Sequence, residues 1–209
     1  MSLFNSLKHK ATGAAMQTAG QEVGKIGNTL SSGGGKPRQI VFSAIPATLA
    51  QFAALPQAAM GSPFETAAMF VLALGLYKVD RNICITMINH LKGPHPLNQH
   101  DISFLNDRMA QNGKHAFIAE SYLNGATPQN DYTPTEPYTV AVSDGPYSYQ
   151  EQGYAALNIL SGGADNPRPI KMRQAKDGKR MDCRIHQRDV RSGCIHYPGR
   201  GRHAGEPHT

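Results

Sequence analysis

The chain has 209 residues, 40% of them hydrophobic and 17% charged, with a formal net charge of +6 and a pI near 9.3. That length suits one domain of ordinary size with appendages, and the longest apolar run, residues 67–76, is about half of the ~20 residues a transmembrane helix needs. The first twenty residues lack the continuous apolar core of a secretory signal and the three cysteines have no disulfide-like spacing, so a reducing, cytoplasmic location is expected.

Residues 1–30 read as a weak amphipathic helix. Leu3, Phe4, Leu7, Ala11, Ala14 and Ala15 share one face at helical spacing, with Lys8 and Lys10 off it. Gly13, Gly20, Gly24 and Gly27 each cost a helix about 1 kcal/mol relative to Ala. Residues 1–27 are therefore a candidate contact for a protein partner or a membrane surface. Residues 31–37, SSGGGKP, have the composition of a flexible linker.

One domain is expected over residues 38–178. Gln39–Phe42 is short, β-branched and aromatic, a strand pattern. A short helix is predicted over 48–54. Ser62, Pro63 and Glu65 occupy N-cap, N1 and N3 positions, and the helix they open, 63–77, is apolar nearly all round, which predicts a central buried element. Asp80 caps a second long helix over 81–91 that Gly93-Pro94 stops, and a third is predicted over about 99–110. The stretch GATPQNDYTPTEPYT, starting at Gly125, reads as an ordered irregular loop. Strands are predicted at Tyr138–Val142, Tyr154–Leu160 and Pro169–Gln174, the last two joined by the turn-rich SGGADNPRP. Helices first and strands after argue an α+β fold: three to four helices followed by a small antiparallel sheet of three to four strands.

From residue 179 to 209 the texture changes. The segment holds Cys183, Cys194, His186, His196, His203 and His208 with almost no aliphatic residues. It is expected to be a disordered basic tail, because it cannot bury enough apolar surface to offset its ordering entropy.

Residues Ile40 to Gln174 resemble an uncharacterised bacterial family known only as a domain of unknown function. The carrying motifs are FSAIPATLAQFAALP, SPFETAA, LKGPHPLN, GATPQNDYTPTEPYTV, PYSYQEQGYAALNI and SGGADNPRPIKMRQ, together with the MSLFNSLK start. The resemblance implies kinship and no catalytic residue. It also implies a Trp-containing strand after Asp177-Gly178-Lys179, yet this chain has no Trp. The codons of Met181 and Asp182 spell a Trp codon when read one base later, so residues from about 180 onward are read as an out-of-frame stretch.

Candidate chemistry is sparse. No HExxH, GxSxG or phosphate-binding glycine loop is present; Gly33-Gly34-Gly35-Lys36 lacks the spacing and is followed by Pro37. Cys84 falls inside a predicted helix and reads as a small buried apolar residue, not as a nucleophile. Cys183, His186, Cys194 and His196 have the ligand types for zinc but cramped spacing and no apolar surroundings, so neither a metal nor a cofactor is expected. The strongest ligand-binding candidates are Tyr147, Tyr149 and Tyr154 with Asp165 and Arg168, since aromatic rings beside one acid and one guanidinium can recognise a small ligand or a peptide. The expected function is a non-enzymatic cytoplasmic binding or accessory module for a protein partner or small ligand. The alternatives are a hydrolase-like enzyme with dispersed Tyr, His and Asp residues, and loose nucleic-acid association through basic residues. The scattered Lys and Arg form no stripe, which argues against a specific nucleic-acid partner.

Overall fold

The computed structural model describes residues 35–109, 117–164, 166–175 and 181–184, the last as backbone. Strand β1 (Arg38–Phe42) comes first. Four α-helices come next: α1 (Leu49–Ala53), α2 (Pro63–Gly75), α3 (Arg81–Lys92) and α4 (Gln99–Met109). Strands β2 (Tyr138–Ser143), β3 (Tyr154–Ile159), β4 (Arg168–Gln174) and β5 (Met181–Arg184) complete the described elements. All neighbours are antiparallel, and the five strands lie in the order β1-β2-β3-β4-β5. The fold is α+β, as expected.

Local sequence explains the helix ends. Thr48 accepts the Gln51 N–H at the start of α1. Asp80 Oδ1 accepts from both Asn82 and Ile83 at the start of α3, which relieves two of its orphan donors. Asn98 and Asp101 exchange side-chain-to-backbone bonds before α4. Ser62 departs from expectation. It takes the extended N-cap conformation, but its hydroxyl does not cap; Pro63 already removes one orphan N–H, and Thr66 Oγ1 donates to the Ser62 carbonyl instead.

Helix α2 is the core of the molecule. It lies across the inner face of the sheet against all five strands and also packs on α3. Phe64, Ala67, Ala68, Met69, Val71, Leu72, Ala73 and Leu74 are all buried, so it is buried nearly all round as its sequence predicts. Facing it are Phe42, Val140, Val142, Ala155, Leu157, Ile159, Ile170 and Met172. Strand alternation sends the intervening residues, among them Val41, Ala156, Lys171 and Arg173, to the opposite face, which no described helix covers.

Strand β5 corrects the expected boundary. Met181–Arg184 falls within the tail expected to be disordered from 179 onward, but it pairs with β4 (Lys171 opposite Arg184, Met172 opposite Cys183, Gln174 opposite Met181) and lies against α2 and α3. A ladder is held by main-chain hydrogen bonds and so does not require an aliphatic-rich segment. The ordered sheet therefore continues past Gly178. Residues 185–209, the N-terminal segment and the linker as far as Gly34 lie outside the described residues.

Candidate functional site: an open groove on the outer sheet face

The groove is built where β3 and β4 pair and β2 has already diverged. β2 meets β3 only at Val142–Ile159 and Ser143–Asn158, whereas β3 and β4 pair from Tyr154–Arg173 to Ile159–Arg168. The free edge of β3 is taken up by the turn after β2. Ser148 anchors that turn: its carbonyl accepts the Ala156 N–H at 2.8 Å, its hydroxyl donates to the Ala156 carbonyl, and that hydroxyl also accepts the Gly145 N–H at 2.8 Å. Ser148 is buried, and these bonds satisfy it there. The neighbouring side chains are thereby turned outward, and Tyr147 is 74% exposed.

The resulting cavity has a volume of about 290 Å³ and is open on one side. Its lining includes Tyr147, Gln150, Glu151, Tyr154, Pro169 and Lys171. On the outer face Ala156 opposes Lys171 and Tyr154 opposes Arg173, so Tyr154 and Lys171 are diagonal neighbours. The Lys171 ammonium lies 4.5 Å from the centre of the Tyr154 ring and is paired with Glu151. A cation held between an aromatic face and a carboxylate has a defined direction, and the tyrosine ring is kept in one orientation. The groove thus offers aromatic surface, one acid and one base on a rigid sheet.

Of the residues predicted from sequence, Tyr147 and Tyr154 meet in this groove. Tyr149 does not. Its hydroxyl donates to Asp144 Oδ2 at 3.1 Å, and burial, followed by that bond to Asp144, raises its pKa above the ordinary phenol value while Arg38 opposes the rise. Arg168 is also outside. It shares the strand parity of Ile170 and Met172, the face toward the helices, and the intervening positions Pro169 and Lys171 line the groove instead. Asp165 lies outside the described residues, as do His186, Cys194 and His196; Cys183 stands in β5 opposite Met172. Among the described residues no group of three or more His, Cys, Asp or Glu side chains could hold a metal ion. Glu151 and Lys171 were missed by sequence reasoning. They are 20 positions apart, and only the register brings them together, although Glu151 stands within the PYSYQE run.

A second charged cluster is structural. Glu120 is 7% exposed, and its carboxylate is paired with Lys78 at 3.3 Å. Burial pushes its carboxyl above the usual carboxylate range, and Lys78 pulls it partly back. Oε2 is buried without a hydrogen bond. Lys78 also covers the Phe117 ring, which stacks on Tyr132 at 5.3 Å. This clamp joins the α2–α3 turn to the loop before β2. That loop is organised by Asn130, which accepts from the backbone of Thr127 and Thr133 and donates to the carbonyls of Gly125 and Thr133. Cys84 is fully buried and its thiol is pushed up to about 12 by burial, which leaves it un-ionised at neutral pH and makes it a poor nucleophile.

A family model described as a domain of unknown function, DUF6935, matches residues 44–180. No curated protein and no solved structure matches the chain.

Proposed function

We propose that this chain, which belongs to the DUF6935 family, is a non-enzymatic binding module whose outer-face groove takes an extended segment of a protein partner. The supporting observation is the groove itself: Tyr147, Tyr154 and the Glu151–Lys171 pair converge on an open sheet surface. Small-molecule sites are concave, run from about 300 to 1,000 Å³ and enclose most of their ligand. A groove of about 290 Å³ that is open along one side is better suited to a chain laid across it. Ring faces would supply contact area, and Lys171 and Glu151 would fix the direction of the bound segment.

The enzymatic alternative calls for a nucleophile and a base within reach of each other. The groove's serine hydroxyl, at Ser148, is committed to Ala156 and Gly145. His95, exposed in the α3–α4 connection, and His100, exposed in the first turn of α4, do not line the groove. A cytoplasmic location is part of the proposal. It is supported by the free, buried Cys84, which suits a reducing compartment.

Selection of displayed twelve-residue peptides against the full chain tests the reading. Enriched peptides should lose binding to Tyr147→Ala and to Lys171→Glu. Peptides that bind these variants as tightly as the parent would refute the groove as the site.

A further inference from the structure

We infer that the groove has an occupant within its own chain: the amphipathic segment 2–27 docks on the Tyr147–Tyr154 surface in cis and competes with an outside partner. The inference rests on the groove reading and adds its regulation. The first described residue, Gly35, donates its N–H to the Asp144 carbonyl at 3.1 Å. Asp144 is also the residue that holds Tyr149, and it opens the turn that carries Tyr147. The N-terminal segment therefore joins the domain at the base of the turn that walls the groove.

Reach and composition fit. The Gly/Ser-rich tether from Gly27 to Gly35 spans roughly 15 Å as a random coil, so the segment stays beside this surface. A tether of that kind holds it at an effective concentration on the order of millimolar, and even a weak contact is then well populated. The segment offers Leu3, Phe4 and Leu7 on one face with Lys8 and Lys10 beside them. The surface offers the exposed rings of Tyr147 and Tyr149, at 74% and 55%, with the Asp144 carboxylate beside them, while Glu151 is already paired with Lys171. Apolar side chains meet rings, and the ammonium groups meet Asp144.

Hydroxyl-radical footprinting of the full chain, read by mass spectrometry, tests the inference. Tyr147 should oxidise several-fold more slowly in the parent than in a Phe4→Asp/Leu7→Asp variant, while Val79, exposed in the α2–α3 turn, should react equally in both. Equal Tyr147 rates would overturn it. Protection that appears only at high chain concentration would also overturn it, because the occupant would then be a second copy. Protection that appears only when anionic phosphatidylserine vesicles are added would mean that the segment serves a membrane surface, again against the inference. Displayed peptides that bind parent and variant equally leave the groove reading standing and refute the cis occupant. Tyr147 protection in the parent, with no peptide enriched on either the parent or the Phe4→Asp/Leu7→Asp variant, supports the cis occupant and removes the outside partner.

Discussion

The ammonium of Lys78 lies 3.3 Å from Oε1 of Glu120 and 5.0 Å from the centre of the Phe117 ring, so one side chain ties the α2–α3 turn to the loop that leads into β2. Glu120 is buried, and its folded pKa is raised, chiefly by desolvation. A carboxyl raised in this way contributes stability that is complete below its unfolded value, about 4.3, and is lost as pH rises through the folded value. Glu120→Gln does not titrate. Relative to the parent it should therefore gain stability as pH rises from about 4 to 7, as read by urea denaturation at several pH values. Lys78→Met should cost about 3 kcal/mol at pH 7, the lower end for a broken buried pair because Lys78 is partly exposed, and less at pH 4. A Glu120→Gln difference that is flat with pH would contradict this account.

Groove variants should separate according to where their side chains sit. Tyr147→Ala and Lys171→Glu should each weaken a selected peptide about tenfold or more in calorimetry. Arg168→Ala and Tyr149→Phe should change affinity by less than about twofold, since neither residue lines the groove. Unfolding midpoints of the two groove variants should stay near that of the parent, because both positions are on the uncovered face.

Loop architecture should be sensitive to Gly162. A Cβ placed there would lie 1.7 Å from the Ala126 carbonyl oxygen, and the same residue's N–H donates to the Ser121 carbonyl. Gly162→Ala should destabilise by about 3 kcal/mol or more, in the range of severe local overpacking. Asn130→Ala should cost about 2 kcal/mol through its lost backbone bonds. Thermal unfolding of both variants gives the measurement, and a near-neutral Gly162→Ala would mean that the loop can move aside.

Two truncations should separate the contribution of β5 from that of residues 185–209. Removing 185–209 should leave the denaturant midpoint nearly unchanged. Removing 181–209 should also strip the ladder from β4 and uncover its edge beside α2 and α3, lowering stability by about 2–4 kcal/mol and promoting association. Equal stability of the two truncations would show that β5 contributes nothing to the fold.

Much of the framework was legible in the residues themselves. Asp80 caps α3, Pro63 opens α2, Tyr138, Val140 and Val142 face the core, and α2 is central because its apolar residues encircle it. Each of these depends on interactions within a turn or on a period of two or 3.6, and so is written in neighbouring positions. The tyrosine cluster was only half legible. Tyr147 and Tyr154 converge, but Tyr149 is drawn to Asp144 and Arg168 falls on the other parity.

By itself the amino-acid order determined the α+β class, the helix limits and the apolar faces of β2 and β4. The tertiary structure alone decided that Lys171 stands between Tyr154 and Glu151, that Lys78 reaches Glu120, and that Met181–Arg184 extends the sheet beyond β4. Those pairings depend on the register between strands and on the path of the loops. A side chain's distant neighbours are fixed by how whole elements pack, and short-range spacing carries no record of that.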